Sequence, residues 1–398
     1  MRICVVYDCL YPYTVGGAER WYRNLALRLA EDGHDITYLT MRQWDAGEEP
    51  DLPGVRVIAV AGRMPLYVGG RRRIVPALVF GLGVLRHLLG HGRRYDVVHT
   101  ASFPYFSLLA AALVRPLARY RLVVDWHELW TRDYWREYLG PLGGWSGWKV
   151  QRLCLHVPQR AFCFSRLVER RLLAEGVRGE VTVLEGQFEG TAAEAPLPAE
   201  PVVVFAGRHI PEKNPVAVVH AVAKARETIP ELHAEIYGDG PERPKVLAAI
   251  GEHGLEGIVE APGFVVGDVV EGALARALCL VLPSRREGYG LVVLEAISHG
   301  TPTVVVRGDD NAAVELAKEG VNGFVAPSAS AEDLTAAIVR VYEAGDGLRE
   351  STLAWFVRST ERLSLASSLE VVLRGYSPRF PGRCESRGRA RGDRPERG

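Results

Sequence analysis

Short apolar runs rich in β-branched residues alternate with longer amphipathic stretches through the first half of the chain. The apolar runs occupy residues 3–7, 35–39, 55–60, 97–100, 122–124 and 161–165. The runs have the length of buried strands, and the stretches between them have the length of helices. Apolar strands separated by helices are typical of a parallel sheet covered by helices on both faces. The pattern therefore predicts an α/β domain of the Rossmann-like type.

The same alternation starts again in the second half of the chain. Its apolar runs occupy residues 202–205, 234–237, 258–261, 278–282, 303–306 and 323–326. A stretch rich in proline, alanine and glutamate, residues 192–201, separates the two sets, and such a composition is common in interdomain connections. We predict two Rossmann-like domains, residues 1–187 and 202–352, that are joined by a linker over 188–201 and face each other across a cleft.

The chain ends in two segments of different character. An amphipathic pattern over residues 353–376 predicts a C-terminal helix that packs back toward the N-terminal domain. Residues 377–398 hold seven arginines, four glycines and three prolines, and they contain too little apolar surface to fold. We expect a disordered, arginine-rich tail there.

Composition and charge narrow the class of protein. Apolar residues make up 47% of the 398 residues and charged residues 24%, and the formal net charge is zero, so bulk nucleic-acid binding is not expected. The six cysteines form no C-x-x-C pair, which argues against a zinc site or a disulfide framework and favours a reducing cytoplasm. The apolar segments 74–89 and 103–117 are shorter than the ~20 residues of a membrane-spanning helix. We expect no membrane span.

The most informative segment is PSRREGYGLVVLEA, residues 283–296. A buried strand runs into a glycine-punctuated turn, and a helix begins near Gly290, so backbone N–H groups and the positive end of a helix dipole meet at one point. This geometry suits a diphosphate. Glu287 and Glu295 flank the point, and their carboxylates can accept hydrogen bonds from sugar and ribose hydroxyls without a metal. Taken singly, Glu287 could be an ordinary turn residue and Glu295 a solvated helix carboxylate.

A second segment, VVVFAGRHIPEKNP at residues 202–215, also takes a buried strand into a glycine. Arg208 and Lys213 follow it. Ligands of open α/β sheets bind at the carboxyl ends of the strands, where these two cations are expected to lie. Together they can neutralise the charge on a departing diphosphate, although ordinary surface cations are the alternative on this segment alone.

Taken together, these motifs resemble a known family. AGRHIPEKN, YGDGP at 237–241, PGFV at 262–265 and EGYGLVVLE follow one another as in the donor half of the retaining glycosyltransferase family 4, group 1, which has the GT-B fold. The resemblance implies that Arg208 and Lys213 contact the donor diphosphate, that Glu287 meets the donor sugar, and that Glu295 binds the ribose. It also places backbone of the donor site at Gly288, Tyr289, Gly290 and Leu291, and the base at Gly263, Phe264 and Val265.

The N-terminal half resembles the family more loosely. Gly16 and Gly17 follow the first strand, as in the family's first loop, where glycine lets donor phosphate and acceptor approach the backbone; a plain strand-to-helix turn is the alternative. His127 follows a strand at a place where the family has a histidine beside the reacting centre, and a core histidine is the alternative. Tyr289 stands where phenylalanine is common and is expected to bring a hydroxyl near the donor. The acidic pair at Asp309 and Asp310 is expected to cap a helix rather than bind metal.

Two further features concern the acceptor and the surface. Seven arginines and no acid lie between residues 63 and 94, around the apolar segment 74–89, which indicates either contact with an anionic membrane face or an ordinary packed helix with a basic rim. Five tryptophans fall within residues 126–148, and aromatic faces of this kind can stack on an acceptor sugar.

The expected function is transfer of a hexosyl group, with retention, from a UDP- or GDP-sugar to a glycan, lipid-linked or small-molecule hydroxyl. His127, Glu287, Arg208 and Lys213 are the expected catalytic residues, and neither a metal nor another cofactor is expected. The protein is expected in the cytoplasm, with peripheral contact at the inner membrane face left open. A nucleotide-sugar epimerase, a glycan phosphorylase and a non-catalytic sugar-nucleotide-binding protein with the same two domains are the alternatives. Nicotinamide and phosphate-loop enzymes are not supported, because neither glycine motif occurs.

Overall fold

The computed structural model describes residues 1–45, 47–48, 50–68 and 71–376. The predicted tail, residues 377–398, lies outside the described residues. Within them, two α/β lobes follow one another along the chain, each built on its own parallel sheet.

The N-terminal lobe contains nine strands in the ranges that the structure describes. They are β1 (Arg2–Val6), β2 (Asp35–Met41), β3 (Val55–Ala61), β4 (Tyr67–Val68), β5 (Arg71–Arg72), β6 (Val97–Ala101), β7 (Arg121–Trp126), β8 (Gln159–Cys163) and β9 (Gly179–Val183). Seven of them form one parallel sheet in the order β3-β2-β1-β6-β7-β8-β9, and β4 and β5 form a small antiparallel hairpin. The strand order reverses direction at β1, which opens a crevice for ligands at the carboxyl ends of β1 and β6.

The second lobe has a six-stranded parallel sheet in the order β12-β11-β10-β13-β15-β17. Its strands, with the two-residue strands β14 and β16 that pair beside the sheet, are β10 (Glu200–Ala206), β11 (His233–Tyr237), β12 (Val259–Gly263), β13 (Ala277–Leu282), β14 (Arg286–Glu287), β15 (Thr303–Val306), β16 (Asp310–Asn311) and β17 (Gly323–Ala326). The strand order changes direction at β10, so a second crevice lies between the ends of β10 and β13.

Helices cover the sheets. They are α1 (Gly17–Glu31), α2 (Ile74–His91), α3 (Tyr105–Ala118), α4 (Arg132–Leu155), α5 (Arg166–Ala174), α6 (Val216–Ala225), α7 (Arg243–Glu252), α8 (Gly267–Arg276), α9 (Leu291–Ser298), α10 (Ala331–Leu363) and α11 (Leu365–Tyr376). Each lobe has its own apolar core, and Tyr289 packs against both.

The C-terminal helices return to the N-terminal lobe. Leu365, Leu369, Val372 and Tyr376 of α11 are buried in the N-terminal core. The helical segment differs from the expected 353–376, because α10 already begins at Ala331 and carries a non-helical backbone at Gly345, with φ of 58°. A further break at Ser364 separates α10 from α11 and lets α11 turn onto the first lobe.

A buried polar chain anchors α11. The Asp125 carboxylate accepts a hydrogen bond from Trp21 Nε1 at 2.7 Å and lies 2.8 Å from His99 Nε2. The other ring nitrogen of His99 bonds to the Tyr376 hydroxyl. Burial opposes the charge on Asp125, yet His99 and Trp21 hold the pKa of its carboxyl below the usual value. The C-terminal helix is thereby tied to β7, the strand that leads to His127.

Candidate active site

Glu287 and Lys213 meet at the carboxyl edge of the second sheet. Glu287 is 8% exposed and its Oε1 accepts hydrogen bonds from Lys213 Nζ and, at 3.0 Å, from Ser284 Oγ. Lys213 comes from the loop after β10, and Glu287 from the turn after β13, so the crevice between these neighbouring strands brings them together. A carboxylate and an ammonium are thus held at the point where a ligand of this sheet would bind.

The start of α9 lies directly beyond this pair. Gly290 is the N-cap residue with φ of 96°, a left-handed conformation that favours glycine. The first N–H groups of α9, beginning at Leu291, have no intrahelical carbonyl partner, and they carry the positive end of the helix dipole. The turn can therefore bind an anion through backbone groups.

Glu295 lies one turn into α9 and reaches the opposite lobe. Its Oε1 lies 2.8 Å from Arg20 Nη1, and both side chains are about one-third exposed, at 31% and 39%. A small cavity of about 70 Å³ opens beside this ion pair, and its lining includes Gly17 and Leu291. The structure thus brings the start of α1 and the second glutamate to the same side of the cleft.

The two lobes approach each other closely at Gly288. A Cβ atom at this position would lie 2.6 Å from the carbonyl oxygen of His127 and 3.0 Å from Cγ of Glu128. Only a residue without a side chain allows the Glu287 turn and the loop after β7 to approach this closely. The predicted donor turn and the predicted reacting-centre histidine therefore face each other across the cleft.

His127 is held in a defined orientation beside this contact. Its ring stacks on Phe164 with a centroid separation of 4.4 Å and an interplanar angle of 1°, and it meets Tyr22 edge-on. Burial lowers the pKa of His127, with Asp125 and Glu128 acting in the opposite direction, so the imidazole is neutral near pH 7. Among the described residues its buried Nε2 has no hydrogen-bond partner.

An ion pair between the lobes lies next to His127. Arg286 Nε is 2.9 Å from Glu128 Oε2, and the Arg286 guanidinium lies 3.9 Å from the ring centre of Tyr134 and 4.8 Å from that of Trp130. Burial raises the pKa of the Glu128 carboxyl, but the charges of Arg286 and Lys213 and the hydrogen bonds from Trp130 and Arg286 together outweigh burial, so the net shift of this pKa is downward.

Arg208 faces the first lobe from the end of β10. Burial lowers the pKa of Arg208, but the acidic groups around it, chiefly Tyr67 and Glu19, together outweigh burial, so the net shift of this pKa is upward and the guanidinium is charged. Glu19 itself folds back over the GG loop, since a Cβ on Gly16 would lie 2.4 Å from Glu19 Oε2. Burial raises the pKa of Glu19, and Arg208 partly offsets this.

The predicted base site lies further along the same sheet edge. Gly263 ends β12 with φ of 97°, and its carbonyl accepts a hydrogen bond from Gly238 N at 2.8 Å. Phe264 is 67% exposed and Val265 is half-buried. Within the described ranges, no hydrogen bond or ion pair connects these three residues to Glu287 or Lys213, and their place in the site rests on the shared edge of a parallel sheet.

Two sequence-based expectations about polar side chains need correction. The Tyr289 hydroxyl does not face the donor turn; it donates to the Glu185 carbonyl of the first lobe at 2.5 Å. The acidic pair does not cap the short 3₁₀ helix at Ala312–Glu315: Asn311 is its N-cap, and Asp310 pairs with Arg171 at 2.6 Å.

The tryptophan cluster is divided between core and surface, with Trp148 half-buried, which limits the expected acceptor-stacking rings to part of the cluster. Trp126 and Trp135 are buried, and Trp130 packs against Arg286, so these three rings do not form an open platform for a sugar. Trp145, on α4, is 51% exposed.

Sequence reasoning missed four charged residues of the cleft: Glu19, Arg20, Glu128 and Arg286. Glu128 and Arg286 adjoin His127 and Glu287, and Glu19 and Arg20 lie within three residues of Gly17. Each is a charged residue in an otherwise apolar or glycine-rich segment, and this pattern could have marked them as candidate site residues. Over the part of the chain that the structure describes, no group of three or more His, Cys, Asp or Glu side chains is arranged to hold a metal ion.

Two family models match the chain, one on each lobe. "Glycosyltransferase Family 4" matches residues 15–186 and "Glycosyl transferases group 1" matches residues 191–352. The boundary between them falls just before β10, where the second lobe begins.

Curated relatives include glycosyltransferases from several bacteria. The chain is 26% identical to the glycogen synthase of Mycobacterium tuberculosis over an alignment 417 positions long, gaps included, which covers 96% of this chain and 98% of that protein. It is 29% identical over 182 residues to the α-D-kanosaminyltransferase of Streptomyces kanamyceticus, an alignment that covers 44% of this chain and only 47% of that enzyme.

Solved structures share the fold. Sucrose-phosphate synthase from Thermosynechococcus elongatus superposes with a TM-score of 0.77 at 18% identity, covering 94% of this chain and 98% of that one. Anabaena Alr3699/HepE, in complex with UDP and glucose, gives a TM-score of 0.68 at 18% identity, with 94% and 99% covered.

Two Rossmann-like lobes that face each other across a cleft, with a glycine-rich helix start in the second lobe, define the GT-B class of glycosyltransferases. Within that class, the chain belongs to the family 4, group 1 glycosyltransferases, and it is a glycosyl-transferring enzyme.

Proposed function

We propose that this enzyme transfers a hexosyl group, with retention of anomeric configuration, from a nucleotide-diphosphate sugar bound by the second lobe to a hydroxyl group held by the first. The observation that carries the proposal is the meeting of Glu287, Lys213 and the start of α9 opposite His127, across the close approach at Gly288.

The diphosphate is proposed to lie between the start of α9 and the cations Arg208 and Lys213. Backbone N–H groups at Gly290 and Leu291 would donate to phosphate oxygens, and the two cations would balance the charge that develops as the diphosphate leaves. The ion pair of Lys213 with Glu287 keeps the ammonium at this point before the donor arrives. No metal is part of the proposal.

The hydroxyl groups of the donor are assigned to the two glutamates. Glu287 accepts hydrogen bonds from the transferred sugar, and Glu295 accepts them from the ribose. Glu295 is bound to Arg20 in the structure, so ribose binding would share or replace that ion pair. His127, neutral and with Nε2 free of partners among the described residues, can donate or accept one hydrogen bond at the sugar.

Retention is assigned to a front-face displacement. The bond between the anomeric carbon and the diphosphate oxygen breaks, and the acceptor oxygen bonds to the same face of that carbon. The acceptor proton passes to the departing phosphate oxygen, so no covalent sugar–enzyme bond is required. His127 and the cations would stabilise the charge separation during this step.

The donor is proposed to be a UDP- or GDP-sugar. HepE, which shares the fold, has been solved with UDP and with UDP-glucose, which makes UDP-sugars the first candidates. The acceptor is proposed to be a hydroxyl of a glycan, a lipid-linked sugar or a small molecule, and the reaction is placed in the cytoplasm, where nucleotide sugars would be available.

The direct test is a panel of nucleotide sugars assayed by thermal unfolding. One donor should raise the melting temperature of the wild type, since a ligand that binds only the folded state stabilises it, and Glu295→Ala and Lys213→Ala should abolish that shift. If no nucleotide sugar shifts melting, the donor-site assignment is wrong.

Product analysis separates the rival activities. Slow hydrolysis of the best donor, followed by proton NMR of the first sugar released, should show the donor's own anomeric configuration. Isomerised donor would instead indicate an epimerase, phosphate-dependent release of sugar phosphate from a glycan would indicate a phosphorylase, and binding without turnover would indicate a non-catalytic protein.

A further inference from the structure

The outer side of α2 is apolar and exposed. Ile74, Val75, Leu78, Val79 and Leu82 are 38–66% exposed, and Leu89 near the end of the helix is 61% exposed. Their spacing of three and four residues puts them on one stripe of the helix. A surface helix normally turns polar residues outward, so this stripe is an apolar patch that requires a covering surface.

The opposite side of α2 is fixed to the lobe. Phe80, Val84 and Leu88 are buried in the N-terminal core, and a Cβ on Gly83 would lie 2.1 Å from the carbonyl oxygen of Val60 in β3. The segment Ile74–Arg94 is long and apolar enough to cross a membrane by composition, but its inner stripe is committed to the sheet. Helix α2 is therefore part of the folded lobe, with one side packed on the sheet and the other at the surface.

Helix α3 extends the apolar surface. A Cβ on Gly81 of α2 would lie 2.5 Å from Cβ of Phe106 on α3, so the two helices pack side by side. Leu113 and Leu117 of α3 are 68% and 62% exposed, and Arg93 Nε donates to the Leu117 carbonyl at 3.3 Å. We call the exposed residues of these two helices and of the turns that follow them, within 74–93 and 113–119, the α2–α3 face.

This region carries a net positive charge, although the formal net charge of the whole chain is zero. Residues 63–124 contain ten arginines and a single acid, Asp96, which pairs with Arg2 at 3.1 Å. Neither α2 nor α3 contains an acidic residue. Arg73, Arg86 and Arg93 are exposed along or beside the apolar stripe. Arginines around an apolar stripe match a surface that has negative headgroups over an apolar layer.

A second copy of the chain would be a poor partner for this face. A two-fold interface brings the same patch of both subunits together, so arginines would meet arginines with no carboxylate from either helix to pair with them. An anionic bilayer has the required charge over the whole contact. We propose that the α2–α3 face docks this enzyme on the surface of an anionic phospholipid bilayer.

Docking would place the cleft near the headgroups. Arg72, two residues before α2, pairs with Asp8 at the carboxyl end of β1, and its backbone N–H donates to the Tyr138 hydroxyl at 2.8 Å. The N-terminal end of α2 therefore lies at the acceptor side of the cleft. Resting on the proposed function, this position favours an acceptor hydroxyl that is carried on a lipid.

Vesicle flotation tests the docking without any enzymatic assay. The wild-type chain should float with vesicles of phosphatidylcholine containing phosphatidylglycerol and should remain behind with phosphatidylcholine alone. Leu78→Ser with Leu82→Ser should weaken binding at least tenfold. The matched control, Leu247→Ser with Leu173→Ser, changes leucines of similar exposure, 45% and 61%, on other surfaces and should bind as the wild type does.

Charge variants provide an independent arm. Arg73→Gln with Arg86→Gln should weaken binding to the anionic vesicles by about 25-fold, because each arginine near a membrane surface contributes roughly fivefold. Arg178→Gln with Arg358→Gln removes the same charge from other exposed positions and should have little effect. All variants keep residues 377–398, so the arginines there contribute equally to every measurement.

Two outcomes would overturn the docking proposal. One is a wild-type chain that fails to float with anionic vesicles at about 0.1 M salt, or leucine variants with unchanged melting temperature that float equally well. The other is a dimer, detected by light scattering without lipid, that Leu78→Ser with Leu82→Ser converts to a monomer. Neither outcome depends on donor binding, so failure of the proposed reaction would be seen separately in the thermal assay.

Discussion

Replacing Gly288 by alanine tests how closely the lobes must approach. The new Cβ would lie 2.6 Å from the His127 carbonyl oxygen, whereas real Cβ atoms essentially never come closer than 3.0 Å to a neighbour. Gly288 does not have a positive φ, so its own backbone accepts alanine. The carbonyl of His127 belongs to the backbone and cannot rotate away as a long side chain can. The distance between the Gly288 and His127 segments must therefore increase by at least about 0.4 Å.

The expected cost falls on the reaction rather than on folding. A misplacement of about 1 Å between reacting groups costs on the order of 100-fold in rate, so a shift of several tenths of an ångström should lower kcat roughly 10-fold to 50-fold. That corresponds to about 1.4–2.3 kcal/mol of lost transition-state stabilisation. Each lobe keeps its own core, so the melting temperature should change little.

The assay compares kcat and the donor dissociation constant in Gly288→Ala and in Gly272→Ala. Gly272 lies in α8, where an added Cβ meets nothing within 4 Å, and it serves as the matched control. We expect the control to retain wild-type kcat. If Gly288→Ala turns over at more than half the wild-type rate, the lobes do not need this contact during catalysis and the assignment of the cleft is wrong.

Three further predictions concern stability. Tyr376→Phe removes the hydroxyl that bonds to buried His99 and should lower the free energy of unfolding, measured in urea, by about 1–3 kcal/mol. A loss below about 0.5 kcal/mol would show that this hydrogen bond contributes little to stability. Arg286→Met leaves Glu128 without its cation and should lower the free energy of unfolding by about 2 kcal/mol, less than the loss of a fully buried ion pair, because Glu128 is 39% exposed. In a double-mutant cycle, adding Glu128→Gln should restore part of the lost stability. Burial lowers the pKa of His209, so below about pH 6.5 the unfolded chain binds a proton at this residue more readily than the folded chain, and the free energy of unfolding should fall as the pH drops. His209→Leu should reduce the difference between the free energies of unfolding measured in urea at pH 5 and at pH 7. An unchanged difference would contradict the lowered pKa of His209.

The strands could be predicted from sequence because both sheets are parallel and buried on both faces. Such strands are continuous apolar runs, which stand out between amphipathic helices. The edge strand β9 (GEVTV) was missed because it alternates polar and apolar residues and is only half-buried. Strands of this kind depend on their neighbour, here β8, more than on their own composition.

The sequence predicted a C-terminal helix that packs toward the N-terminal domain, but it did not predict where the helices begin and break. The break at Gly345 was visible as a glycine-rich turn signal, but helical residues resume at once on its far side, and within α10 only that glycine has backbone angles outside the helical region. The helix α11 is held on the first lobe by apolar residues such as Leu369 and Val372 and by the bond between Tyr376 and His99, residues 277 positions apart. Local patterns contain no information on such a contact.

The sequence motifs predicted single residues of the candidate site but not the pairings between the two lobes. The resemblance supplied roles for Glu287, Lys213 and Glu295, each described singly. It gave no indication that Glu295 binds Arg20 of the other lobe, or that Arg286 packs into aromatic rings. Pairings across a cleft depend on how two lobes meet, and that arrangement is a property of the whole fold.

Isothermal titration with UDP and GDP tests the central claim, a diphosphate site at Lys213 and the start of α9. One nucleotide should bind the wild type, and Lys213→Ala should raise its dissociation constant roughly 10-fold to 150-fold, the range expected for one charge-assisted hydrogen bond. Lys245→Ala, which removes an exposed lysine of α7, should leave the affinity unchanged. Equal affinity in Lys213→Ala, in a variant that melts like the wild type, or no binding of either nucleotide, would contradict the account.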